Sequence, residues 1–160
     1  MTKRSVIPAT FSIERRYDAP PGRVFAAWTS VEAKRQWAFC HADWQPTLFE
    51  MDFRVGGRER IRTGPENGEV HAFEGVFHDI VPDERIVYSY GMHLGERRIS
   101  VSLTTIEVRA EGHGTRLVFT EQGVFLDGYD DVAGREEGTR IGLDNLKEWL
   151  SPARAAAAAP

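Results

Sequence analysis

The chain has 160 residues, a net charge of −4, 41% apolar residues and 28% charged residues. That length suits one domain able to bury its own core without a disulfide or a metal. The acidic balance gives no electrostatic footprint for nucleic acid or an anionic membrane, and the apolar runs fall far short of the roughly 20 residues of a membrane span. Residues 1–5 lead into no signal-like apolar stretch, and Cys40 is the single cysteine, so no intrachain disulfide can form. Both features predict a protein of a reducing compartment, the cytoplasm.

Phe11, Ile13 and Tyr17 share one side of an alternating stretch and predict a first strand over 11–17. Residues 18–22 break it, and their prolines favour a helix start. Val24, Phe25 and Trp28 recur at helical spacing, which predicts a short helix. Thr29 and Glu32 have capping-box spacing, so a second short helix is expected to run to about Trp37. A strand follows over 48–51, then a tight turn or bulge at Gly56 and Gly57. The charged run 58–62 reads as a strand with a wet face or as a sheet edge, with Arg58, Glu59 and Arg60 in solvent. Residues 63–68 carry turn chemistry. Residues 70–81 form the next strand, and Ile86, Tyr88 and Tyr90 alternate in the one after it.

Ile99, Val101 and Leu103 define one face of a long strand. The apolar phase then shifts to Ile106 and Val108, which predicts a bulge between the two sets. Residues 111–114 read as a hairpin turn. The returning strand, 115–122, carries Leu117, Phe119 and Glu121 on one face. The last element is a helix over 131–150, with Thr139, Leu143, Leu146 and Leu150 as its apolar stripe and Ile141 and Trp149 off it. Ser151 and Pro152 stop it, and the alanine-rich tail 152–160 reads as loose. This order predicts one α+β helix-grip domain over 9–151. A curved antiparallel sheet of about six to seven strands wraps the long C-terminal helix, and two short helices follow the first strand.

Five motifs in this order resemble a known family. They are Tyr17 to Thr29 with Trp37; Asp52 to Arg58 around the glycine turn; Phe73 to Val76 through Val81-Pro82 with Arg85 to Tyr88; Gly114 to Leu117 with Thr120 to Gly123; and Glu137-Gly138 before Leu143, Leu146 and Leu150. Together they resemble the START-like (SRPBCC, Bet v 1-like) superfamily, and more closely its branch named after the activator of heat shock protein 90 ATPase. The resemblance implies the helix-grip fold, with a largely apolar cavity between sheet and helix. It implies no single activity, because members bind small apolar molecules, catalyse cyclisation or regulate chaperones.

Within this frame a small hydrophobic or aromatic ligand is expected to meet Trp28, Trp37, Phe39, Trp44, Phe49, Phe73, Phe77, Tyr88, Tyr90, Leu143 and Leu146, with Phe25 nearby. Glu121, in phase with Leu117 and Phe119, is expected either inside the cavity or at its rim paired with an arginine. Arg15, in phase with Ile13 and Tyr17, is one candidate partner for it, or for a ligand carboxylate. The segment Cys40-His41-Ala42-Asp43 reads as mouth lining rather than as a catalytic or metal site. His78 and Asp79 face opposite sides of a strand and make no dyad. No phosphate loop, nucleophile elbow or zinc pattern is present, and no catalytic residue, metal or cofactor is assigned. A binding role is favoured over a polyketide-cyclase-like or hydrolytic enzyme and over a chaperone regulator. The protein is read as a monomer or a homodimer.

Overall fold

Alternating apolar positions set seven strands in one antiparallel sheet, seen in a computed structural model that describes residues 3–151. The strands are β1 (Val6–Tyr17), β2 (Leu48–Met51), β3 (Arg58–Thr63), β4 (His71–Val81), β5 (Arg85–Leu94), β6 (Arg97–Glu111) and β7 (Gly114–Leu126). Their order is β1-β7-β6-β5-β4-β3-β2. Strands β2 to β7 therefore pair in sequence as a meander, and β1 joins at the β7 edge with Phe11 opposite Glu121. The curved sheet and its C-terminal helix are the expected helix-grip architecture. Strand β1 begins earlier than the expected position 11, at Val6. The tail at 152–160 lies outside the described residues.

Two short helices, α1 (Pro21–Ala26) and α2 (Val31–Arg35), link β1 to β2. The Thr29–Glu32 capping box does not form. The Ser30 hydroxyl caps α2 instead, accepting from the Ala33 amide at 3.1 Å, while the Thr29 hydroxyl donates back to the Ala26 carbonyl. The cap thus sits one residue later, where extended backbone aims a short oxygen at the orphan donors. Trp37 follows α2 and pins it to α1 through an indole N–H to the Ala27 carbonyl, 3.0 Å.

Helix α3 (Val132–Trp149) starts at Asp131, whose carboxylate accepts from the Gly134 amide at 2.7 Å. Leu143, Leu146 and Leu150 are buried as a stripe, each contributing roughly 1.5–3 kcal/mol. The Tyr17 hydroxyl donates to the Leu143 carbonyl at 3.0 Å and ties β1 to the helix.

Two strand assignments change. In β6 the inward face is Ser100, Ser102, Thr104, Ile106 and Val108, in unbroken register with β7. Val101 and Leu103 lie on the other face, 41% and 40% exposed, so no bulge separates Leu103 from Ile106. The register slips earlier, where Met92 opposes Ser100 and His93 opposes Arg98, and Ile99 is the extra residue. In β3, Glu59 is not in solvent. It is 2% exposed and faces inward, while Arg58 and Arg60 keep to the outside. Nor is β3 an edge, because β2 covers it.

Candidate functional site

A cavity of about 490 Å³ lies between the sheet and α3. Its origin is visible in the helix. Gly134, Gly138 and Gly142 follow at four-residue steps and share one face, which they present to the cavity with no side chains. A Cβ at Gly138 would stand 3.6 Å from the Cys40 sulfur, and one at Gly142 would stand 3.5 Å from the Ala38 carbonyl.

The opposite wall is aromatic. Phe73 of β4 stacks on Tyr90 of β5 at 4.5 Å, Tyr88 lies 6.1 Å from Tyr90, and Trp28 meets Trp37 edge to face at 4.5 Å. All five line the cavity, as do Phe39, Trp44, Glu121 and Leu143. Phe49, Phe77 and Leu146 do not. Phe49 packs outside it against Phe39 and the Arg35 guanidinium. Phe77 is core, edge-on to Phe53 and Tyr88. Leu146 sits nearly one turn beyond Leu143, in the sealed part of the helix–sheet seam.

Glu121 points inward and is 3% exposed. Its Oε2 accepts from the Tyr90 hydroxyl at 2.8 Å, the Ser102 hydroxyl at 3.0 Å and the Arg135 guanidinium at 3.1 Å. Arg135, from the first turn of α3, also donates to Tyr90, Ser100 and Asp130. Its Cζ lies over the Tyr90 and Phe125 rings, 5.6 and 5.3 Å from their centroids. This explains the polar inner face of β6: hydroxyls at Ser100 and Ser102 are what a buried guanidinium and carboxylate require there. Arg15 plays no part. It reaches across to Asp144 on the outer flank of α3, 2.9 Å away.

A second buried pair closes another part of the wall. Lys34 of α2 donates to both oxygens of Glu59, at 3.0 and 2.8 Å. Its ammonium also faces the Trp28, Phe77 and Tyr88 rings at 5.7–6.0 Å.

On the loop after α2, Trp44 is stacked on His41 at 3.8 Å and tilted against His71 at 4.9 Å. Cys40, His41, Trp44 and His71 all reach the cavity. Asn145 of α3 holds this loop by its amide, which donates to the Trp37 and Phe39 carbonyls. His78 binds Ser89 and Asp79 binds Arg85, so the two neighbours form no dyad. Among the described residues no group of three or more His, Cys, Asp and Glu is placed to hold a metal, and no helix is long and apolar enough to cross a membrane.

A family profile, the activator of Hsp90 ATPase homolog 1-like proteins, matches residues 18–151. The chain belongs to this family. Among solved structures, a Rhizobium leguminosarum protein is 54% identical, covering 93% of this chain and 98% of its own, with a TM-score of 0.88. The Mll3558 protein of Rhizobium loti is 46% identical over 91% of this chain and 99% of its own, with a TM-score of 0.84. CV1439 of Chromobacterium violaceum, at 26% identity, covers 89% and 97% with a TM-score of 0.77. None of the curated proteins matches the chain.

Burial and neighbouring charges together shift the titratable groups of the site. Burial pushes the Tyr88 hydroxyl well up. It does the same to Tyr90, where Arg135 pulls back and Glu121 pushes further up. Both phenols therefore stay neutral donors around neutral pH. Burial also works against the Arg135 charge, but Tyr90, Glu121 and Asp130 more than offset it, and its pKa rises. Burial raises the Cys40 thiol, and it lowers His71 with help from His41.

Lys34, Glu59 and Arg135 escape a reading of the sequence that follows apolar residues. Arg135 and Glu59 have a positional signal. Arg135 stands four and eight residues before Thr139 and Leu143, on their face of α3. Glu59 alternates with Ile61, which also lines the cavity.

Proposed function

We propose that this family member binds a small apolar or aromatic molecule in the cavity between its sheet and α3. The cavity carries the reading. Its volume of about 490 Å³ falls within the roughly 300–1,000 Å³ of small-molecule sites. Flat rings from Trp28, Trp37, Phe73, Tyr88 and Tyr90 offer faces and edges to such a guest. The absent side chains at Gly134, Gly138 and Gly142 make the room.

Native mass spectrometry and thermal shift against a panel of apolar and aromatic compounds test it. A true ligand at a hundred times its Kd adds about 2.7 kcal/mol of stability, a rise of roughly 5–10 °C in Tm. The reading is overturned if no compound binds, or if a cavity-filling Gly138→Leu variant binds as well as the native protein.

A catalytic use of the same cavity is the second reading, carried by the convergence of Glu121, Tyr90 and Arg135. Mass-resolved conversion of a bound compound, lost in Glu121→Gln, decides it. Regulation of a heat shock protein 90 ATPase rests on the family match. An unchanged ATPase rate on addition of the protein dismisses that.

A further inference from the structure

Glu121 is satisfied on one side only. Its Oε2 takes three hydrogen bonds, while Oε1 accepts none among the described residues. Oε1 is not sealed within protein either. Among the described residues, the enclosed side-chain polar atoms without a partner are Trp28 Nε1 and Thr104 Oγ1. Glu121 is 3% exposed and lines the cavity, so the open surface of Oε1 faces that cavity. A buried acceptor in this position is costly unless a donor meets it.

Charge narrows what that donor belongs to. Among the described residues the charged ones in the wall are Lys34, Glu59, Glu121, Asp130 and Arg135, three carboxylates against two cations. Both cations are already engaged, Lys34 by both oxygens of Glu59 and Arg135 by Glu121 and Asp130. An anionic guest would meet a net negative wall with no spare cation. A neutral ring bearing a hydroxyl would meet aromatic faces and one open acceptor.

We infer that Glu121 Oε1 selects a neutral hydroxylated aromatic ligand, accepting a hydrogen bond from its hydroxyl. This rests on the cavity being a ligand site, and it adds the polar signature of the guest. In Glu121→Gln the same three donors hold the amide oxygen, which turns the amide N–H groups toward the cavity. The variant replaces an acceptor with a donor at unchanged volume.

Isothermal titration with 2-naphthol, naphthalene, 2-methoxynaphthalene and 2-naphthoate reads this out at neutral pH. The native protein is expected to bind 2-naphthol at least about tenfold tighter than naphthalene or its methyl ether, a hydrogen bond to a charged acceptor, and 2-naphthoate weakest. In Glu121→Gln the preference for naphthol over the methyl ether disappears. Equal native affinity for 2-naphthol and naphthalene overturns the inference and leaves the cavity reading standing. Failure of every probe to bind the native protein overturns both. Should the variant not fold, the ranking on native protein alone decides.

Discussion

Replacing Lys34 with methionine keeps most of the side-chain stem and removes the ammonium. Glu59 then holds a carboxylate with 3% side-chain exposure. Both its oxygens bind Lys34, at 3.0 and 2.8 Å, and it makes no other hydrogen bond among the described residues. Removing one partner of so enclosed a pair costs about 3–5 kcal/mol, or roughly 6–20 °C in Tm for a chain of this size. Glu59→Met is expected to cost less, about 2–3 kcal/mol, because the stranded ammonium keeps the Trp28, Phe77 and Tyr88 rings at 5.7–6.0 Å. The double variant exchanges the pair for apolar contact and is expected within about 1 kcal/mol of the native protein. Urea denaturation of the four proteins measures all of this. A double variant that loses the sum of the single losses would refute the reasoning, as would a Lys34→Met loss below about 1 kcal/mol.

His71 titrates below its usual 6.5 because of burial and then His41. Above 6.5 both states are neutral. Below it the unfolded chain takes the proton first, so stability falls as pH drops from 6.5 through the lower folded value. His71→Phe should flatten that part of a pH–stability curve, and an unchanged slope would count against it. Burial raises the Cys40 thiol, and Cys40 lines the cavity. It should react with iodoacetamide at pH 8 more slowly than an unstructured thiol, and more slowly still with ligand bound; reaction at the free-thiol rate would contradict this. At Gly57 a Cβ would fall 2.0 Å from the Asp52 carbonyl, with no flexible side chain to yield. Gly57→Ala is expected to lose about 1–3 kcal/mol in denaturant titration, and a neutral result would show that the turn is free to move.

The architecture was legible because it rests on periods. Alternation in 11–17 and 115–122, and the leucine spacing from 143 to 150, leave few ways to bury those residues together. Inside the site the same rule misled. Val101 and Leu103 look like a buried face, yet the inner face of β6 belongs to Ser100, Ser102 and Thr104. Hydroxyls there accompany a charge buried by a residue thirty-five positions away, Arg135 on Ser100, and no local pattern encodes such a partner. The run Arg58-Glu59-Arg60 misled for a related reason. Its outer members are ordinary surface charges, and only an α2 lysine makes the middle one affordable inside. Glu121 was found because its strand neighbours were apolar. Its arginine is Arg135 and not the candidate Arg15, because strand phase says nothing of a cation that arrives from the helix.

The glycines of α3 carry one more consequence. Each lowers the helix's own stability by about 1 kcal/mol relative to alanine, so the span over the cavity is the part of α3 least able to stand alone. It is held from its two ends, by Arg135 against the sheet and by Leu143, Leu146 and Leu150 in the core. Gly138 and Gly142 both have space for a methyl at ordinary contact distance, 3.6 and 3.5 Å from their nearest neighbours. Selection for a hardier protein and selection for a roomier one therefore pull these positions in opposite directions. A methyl at either position takes room from the cavity and leaves Glu121, Tyr90 and Arg135 at its polar end untouched.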